Sequence, residues 1–343
     1  MRASRVWLAV VLSGTWLLPA GPAAAADDFY KDKTVQVIVG YSAGGAFDTY
    51  SRLIARHLGK HLPGQPTVVV QNMPGAGGLV LANHLYARVK PDGLTIGAWA
   101  APLVLQSVMG LEAAKFDARK VGWLGVPNAY DTVCFLSDAS GVRSMADWLA
   151  AKRPVKIAAL GPGTSTSDVP KLAHAALGLP MQVVEGYKGG AEARLAVESG
   201  EAEGYCGSWQ SMKTVGRSAF ESGKFRSVLQ LTLKGHPELK DVPIAITYAK
   251  TPEARQLLAV ADSAHRGQFP YSVPPGVPAD RLQLLQEAFM KTLRDPELLA
   301  EAERAKLEID PIDGPTVARS FASLYEIDAA TLAKLKDILT ARR

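Results

Sequence analysis

At 343 residues the chain is too long for one ordinary core and suits two. Its net charge of +5 comes from basic residues scattered among acids, with no run of the kind that tracks a nucleic-acid groove. That excludes nucleic acid as a partner and leaves a slight bias toward anionic ligands.

Residues 1–26 read as an export signal. Arg2 and Arg5 make a charged start, Val6 to Leu18 is apolar but broken by Ser13, Gly14 and Thr15, and Ala24-Ala25-Ala26 offers small-residue cleavage. The segment falls short of the roughly 18 apolar residues a span needs, and no Cys near the cut can take a lipid. Cleavage after Ala26 leaves a periplasmic chain with a net charge of +3.

The mature part opens with the apolar strand Val35–Val39, then a glycine turn, Tyr41-Ser42-Ala43-Gly44-Gly45-Ala46-Phe47-Asp48. A helix follows near Asp48, its apolar positions Leu53, Ile54, Leu58 and Leu62 at helical spacing, and Pro63-Gly64 stops it. Strand 67–71 leads to a second glycine turn, Asn72-Met73-Pro74-Gly75-Ala76-Gly77-Gly78, then helix 79–89, the turn Pro91-Asp92-Gly93 and strand 94–98 ending at Trp99. From about residue 130 the pattern restarts: strand 132–136, helix 144–152, strand 155–160, helix 168–177, strand 181–184, helix 190–199 and strand 202–206. Strand 227–232 starts the return. Later helices open at Thr251-Pro252, Asp295-Pro296 and Gly314-Pro315, with Phe269–Val273 as a strand rejoining the first sheet.

This alternation specifies an α/β protein of two doubly wound, mostly parallel lobes. Residues 27–128 and 233–343 would form one lobe and 129–232 the other. Two crossovers make a hinge, with a cleft between the lobes.

Three turns sit where a strand hands over to a helix, the place where open α/β sheets hold ligands. In the first, adjacent glycines let a ligand approach the amides, and the helix start adds unpaired N–H groups and a positive dipole end, so an anion belongs there. The plainer reading is a tight turn with a cap. The second turn can supply further amides or merely bring helix and strand together. The third, Gly161-Pro162-Gly163-Thr164-Ser165-Thr166-Ser167-Asp168, carries more hydroxyls than capping needs, and the surplus can donate to a carboxylate. Tyr187 in Gly186-Tyr187-Lys188-Gly189-Gly190, Trp209 and Trp99 are candidate ligand walls or core residues.

Only His57 and His61 among the six histidines have i,i+4 spacing, without the Glu of a zinc-protease motif, so no metal and no cofactor is expected. No G-x-S-x-G elbow appears. The two cysteines, Cys134 and Cys206, lie in strand-like stretches and are either a disulfide or two buried small side chains.

These stretches, in this order, resemble the tripartite tricarboxylate transporter receptor family, the Bug family of periplasmic binding proteins. YSAGGAFDTYSR at 41–52, NMPGAGG at 72–78, PDGLT at 91–95, GYKGG at 186–190, HPELKDVP at 236–243 and PPGVPADR at 274–281 carry the likeness over roughly residues 30–325. The resemblance implies a type II periplasmic-binding-protein fold that closes like a flytrap on a carboxylate and delivers it to a membrane permease. It places the ligand between Ser42 to Asp48 and Gly163 to Thr166. Ser42 and Ala43 stand where the family usually has prolines.

The expectation is therefore a monomeric, non-enzymatic receptor for a small organic anion, partnered by an inner-membrane permease and relying on neutral donors. Two alternatives remain open. One is an exported hydrolase with Ser165 or Ser42 as nucleophile and His174 as base. The other is a receptor for a neutral or amino-group ligand facing Asp48 or Asp168.

Overall fold

The computed structural model describes residues 29–44, 46–187, 190–214 and 217–340. The expected leader, Gly45 of the first turn, and Lys188 and Gly189 of the GYKGG stretch lie outside the described residues.

In chain order the first part runs β1 (Thr34–Val39), α1 (Ala46–Leu58), β2 (Thr67–Asn72), α2 (Leu79–Ala87), β3 (Thr95–Ala98), α3 (Leu103–Val108) and β4 (Gly122–Val126). The middle part is β5 (Thr132–Leu136), α4 (Met145–Leu149), β6 (Val155–Ala159), α5 (Ser165–Leu177), β7 (Met181–Glu185), α6 (Gly190–Glu198), β8 (Gly204–Ser208), α7 (Trp209–Thr214), α8 (Arg217–Glu221) and β9 (Arg226–Gln230). The chain returns through α9 (Pro252–His265), β10 (Tyr271–Val273), α10 (Ala279–Thr292), α11 (Pro296–Arg304), β11 (Ile312–Asp313), α12 (Gly314–Ser323) and α13 (Ala329–Thr340).

Two sheets result, in the orders β11-β4-β10-β3-β1-β2 and β7-β6-β8-β5-β9. β10 and β11 run against the other strands of the first sheet, and β5 against those of the second. Central β1 is flanked by β2 and β3 and buries Val35, Val37, Ile38 and Val39, as expected of a strand covered on both faces. Cys134 of β5 and Cys206 of β8 are register partners, and a disulfide joins them.

The caps explain where several helices begin. Thr251 Oγ1 accepts from Ala254 N at 3.1 Å, and Asp295 Oδ1 from Glu297 N at 2.9 Å. For α12 the cap is Asp313, which accepts from Thr316 N at 2.7 Å, and not Gly314. A glycine offers no side-chain acceptor, so the carboxylate one residue earlier takes the role.

One apolar core joins both sheets. It runs from Val37, Leu53 and Trp123 through Leu257 and Leu258 of α9 to Leu172, Trp148 and Cys134. α9 lies along α5, and α13 also touches α5, so the return segment covers the second sheet as well as completing the first. A smaller cluster with Val133, Phe135, Tyr205, Trp209 and Phe225 fills the other side of the second sheet. Fully buried leucines such as Leu53, Leu81 and Leu85 each contribute about 2 kcal/mol.

Candidate ligand-binding site

The first two turns form one packed unit. Gly40 passes so close to Gly78 that a Cβ on it would lie 3.0 Å from the Gly78 Cα. Tyr41 stacks on Phe47 with centroids 4.2 Å apart and donates to the Gly77 carbonyl at 2.6 Å, while Asn72 Nδ2 donates to the Tyr41 carbonyl at 2.9 Å. Gly78, at φ 94°, therefore serves close approach, and Gly75 and Ala76 form the outer rim of the turn.

α1 begins at Ala46, so Asp48 stands inside its first turn. Its Oδ2 accepts from Gly44 N and from Arg52 Nε, both at 2.9 Å, and its Oδ1 from Asn72 Nδ2 at 2.9 Å. Arg52 above all, then Gly44 and Asn72, hold the carboxyl down to about 2 against the opposing effect of burial. Asp48 is thus a staple of the turn, and the Gly44 amide offered to a ligand by the sequence is already taken. The first-turn amides of α1 remain without intrahelical acceptors, beside the exposed Ser42 and Ala43.

The third turn repeats the device. α5 begins at Ser165 rather than at Asp168, and Asp168 Oδ1 accepts from Gly163 N at 3.0 Å. Most of the expected hydroxyl surplus is used internally: Thr164 Oγ1 donates to the Gly161 carbonyl at 2.6 Å, Thr166 Oγ1 accepts from Leu160 N at 3.1 Å, and Ser167 donates to Glu185. A buried strand-to-helix turn has several orphan backbone groups, and the nearest hydroxyls satisfy them. Ser165 is the exception, facing Gln268 Oε1 at 3.5 Å.

Both turns reach the segment Gln268-Phe269. Phe269 packs edge-on to Phe47 at 4.6 Å and touches Tyr50 at 5.4 Å, while Gln268 meets Ser165. Gly163 also approaches Gln106 of α3. His265 Nε2 lies 3.6 Å from Asp168 Oδ2, tying the end of α9 to the start of α5.

Of the three aromatic candidates two pack elsewhere, while Tyr187 follows Gly186, whose N–H donates to the Leu160 carbonyl at 3.1 Å just before the third turn. Trp99 is 1% exposed, packs on Phe116 and Trp123, and donates from Nε1 to Ser272 Oγ at 2.8 Å, which makes it a core residue. Trp209 sits between Phe135 and Phe220 and donates to Glu238 at 2.8 Å; Tyr187 donates to Glu201 at 2.9 Å. A cavity of about 400 Å³ opens beside Trp209, lined by Lys213, His236, Glu238, Arg266, Glu308 and Asp310 among others, and by no residue of the glycine turns.

The hydrolase alternative lacks its base. His174 Nδ1 pairs with the Leu179 carbonyl at the far end of α5, about 13 Å along the axis from Ser165. Among the described residues, His57, Asp295 and Glu297 could gather round a cation. Lys60 already occupies that position, 2.8 Å from Asp295 and 2.7 Å from Glu297, so the group is an ion-pair seam between α1 and α11.

The family model described as the tripartite tricarboxylate transporter family receptor matches residues 50–316. The chain belongs to that family. The family is described as the receptor of that transporter. BugT of Bordetella pertussis is 41% identical over 101 residues, 29% of each chain. The chain matches only 23% to 32% of the length of its curated relatives. Over the whole fold it is similar to a TctC solute-binding protein from Polaromonas, at 20% identity and a TM-score of 0.70, covering 91% of this chain and 99% of that one. It is likewise similar to Rpa4515 of R. palustris with adipate, at 18% identity and a TM-score of 0.63, covering 90% and 98%. No helix among the described residues is long and apolar enough to cross a membrane.

One group escaped the sequence reading. Arg194 of α6 is 8% exposed and lies beside Tyr205 and Tyr130, next to the third turn. A single arginine on an amphipathic helix reads as a solvated side chain, and only the packing reveals its burial.

Proposed function

We propose that this receptor captures a small organic carboxylate between the first and third turns and hands it to an inner-membrane permease of the tripartite tricarboxylate type, acting as a monomer after its leader is removed near Ala26. Residues 27–128 with 233–343 form one lobe and 129–232 the other, closing about the two crossovers. The carboxylate is held by amides at the starts of α1 and α5 and by the hydroxyls of Ser42 and Ser165, with Tyr41 and Phe47 as an apolar wall.

The observation that carries this reading is the matched construction of two turns from different sheets that reach one segment, Gln268-Phe269. Each helix start there offers unpaired N–H groups and a positive dipole end to an anion. The adipate in the R. palustris protein is in keeping with such a ligand. A ligand that touches both turns only when they are together shifts the population toward the closed form. Asp48 and Asp168 are committed to Gly44 and Gly163, which disfavours an amino-group ligand.

A thermal-shift screen against mono-, di- and tricarboxylates, amines and neutral analogues tests the reading. A carboxylate at a hundred times its dissociation constant adds about 2.7 kcal/mol. Stabilisation by amines alone, or consumption of an ester or amide probe, would refute it.

A further inference from the structure

Arg194 stands in an unusual electrostatic position. Gly190 opens α6, and a Cβ on Gly190 would lie 3.3 Å from Arg194 Nη1 and 3.0 Å from the Tyr205 hydroxyl. The guanidinium is therefore folded back toward the N-terminus of its own helix, the direction helical side chains take. There it faces the positive end of the helix dipole, where a cation is disfavoured. Among the described residues no carboxylate lies within ion-pair distance of it, and Glu198 on the same helix is turned to Lys224. Buried charges in proteins are normally paired.

Its surroundings point to an anion. Tyr205 is buried and Tyr130 half-buried, and burial pushes both hydroxyls up, so both stay protonated donors, with Arg194 working the other way. The Tyr130 hydroxyl also neighbours Ser165, the one hydroxyl of the third turn not spent on the turn itself. Donors thus run without a break from Ser165 through Tyr130 and Tyr205 to Arg194, from the edge of the carboxylate site into the second sheet.

We propose that Arg194, with the Tyr205 and Tyr130 hydroxyls, takes a second acidic group of the ligand, so that the receptor selects dicarboxylates over monocarboxylates. This rests on the carboxylate reading of the turns and makes the receptor depend on a charged group as well as on neutral donors. One carboxylate sits at the helix starts; the other neutralises the buried guanidinium.

The test is calorimetric titration of the protein and its Arg194→Gln and Arg194→Lys variants with adipate and succinate, and with the one-carboxylate counterparts hexanoate and butyrate. Wild type should bind a dicarboxylate at least tenfold tighter than its counterpart. Arg194→Gln should lose at least tenfold for that dicarboxylate and less than threefold for the monocarboxylate, and Arg194→Lys should keep part of the preference. Without ligand, the thermal midpoint of Arg194→Gln should equal or exceed that of wild type, because an uncompensated buried charge has gone; an arginine with a purely structural role would lower it. Equal weakening of both acid classes, or no loss for the dicarboxylate, overturns the assignment. Wild type binding hexanoate as tightly as adipate overturns it too, while leaving the carboxylate reading intact. Binding of none of the four acids brings down both.

Discussion

The turn after β1 and the turn after β6 share a construction and differ in setting. Each has a glycine at positive φ, Gly44 at 84° and Gly163 at 78°, whose amide is held by an aspartate in the first turn of the next helix. Around the first, Ser42, Ala43 and Gly44 are exposed; around the second, Ser165 to Asp168 are buried beside Gln268 and His265. The aspartate is equally buried in both, at 3% exposed, and the difference lies in the surroundings, an exposed loop ahead of the first staple and the packed residues of α5 and α9 beside the second. The packed turn presents fixed donors at no ordering cost on binding, whereas the open one can adjust as the ligand arrives.

The largest effect should come from the bracing of the second sheet. Cys134 and Cys206 close a loop with a sequence separation of 72, worth about 4 kcal/mol by the chain-entropy model. Reduction, or Cys134→Ser with Cys206→Ser, should lower the urea midpoint accordingly. An unchanged midpoint would mean the bridge does not brace the packed turn.

Next is the aspartate pair. Asp168→Ala strips a buried acceptor from Gly163 N and from the side of His265, and should cost about 3 kcal/mol. Asp48→Asn keeps one oxygen that can still accept from Gly44 N, and should cost about 1 to 2 kcal/mol. Equal costs would erase the distinction between the two settings.

Asp48 also sets a pH dependence. Its carboxyl is held at about 2 in the folded chain against an ordinary 3.8, so its contribution is complete above about pH 4 and is lost as pH falls toward about 2. Allowing for Arg52, whose side chain is 46% exposed, the loss should be about 1 to 2 kcal/mol. Urea midpoints at pH 4.5 and near pH 2 should converge between wild type and Asp48→Asn; a constant gap would contradict the assignment.

The smallest effect is steric. Gly44→Ala and Gly163→Ala each force a Cβ into left-handed backbone, at about 1 kcal/mol. Nothing lies within 4 Å of a Cβ at Gly44, while at Gly163 Gln106 stands 3.8 Å away. Protein melting should show similar losses for the two, because the Gln106 amide at 3.8 Å is ordinary contact and adds no clash.

Periodicity and proline caps made the strand-turn-helix units legible, because β1, β6, α1 and α9 carry their own local signals. β4, GWLGV, went unread: its glycines look like a turn, yet Gly122 is there because a Cβ would meet Val273 at 2.7 Å. α3, α7, α8, α10 and α13 were also passed over, lacking strong start signals or lying behind motifs read as loops. At the site, the positions of the glycines were readable but the fate of their amides was not. Whether an aspartate caps, binds a ligand or staples its own loop depends on geometry a few ångströms across, as Asp48 and Asp168 show. Trp99 was left between ligand wall and core, and Arg194 went unread, for the opposite reason: burial is a property of the assembled sheets, not of the neighbouring sequence.

If one carboxylate engages both turns at once, backbone amide NMR will report it during titration with a carboxylate found by the thermal screen. The amide signals of Ala43 and Phe47 on one lobe and of Ser165 and Thr166 on the other should shift together, along one saturation curve. Shifts confined to a single turn, or appearing instead around Lys213, His236 and Arg266 at the 400 Å³ cavity, would contradict it.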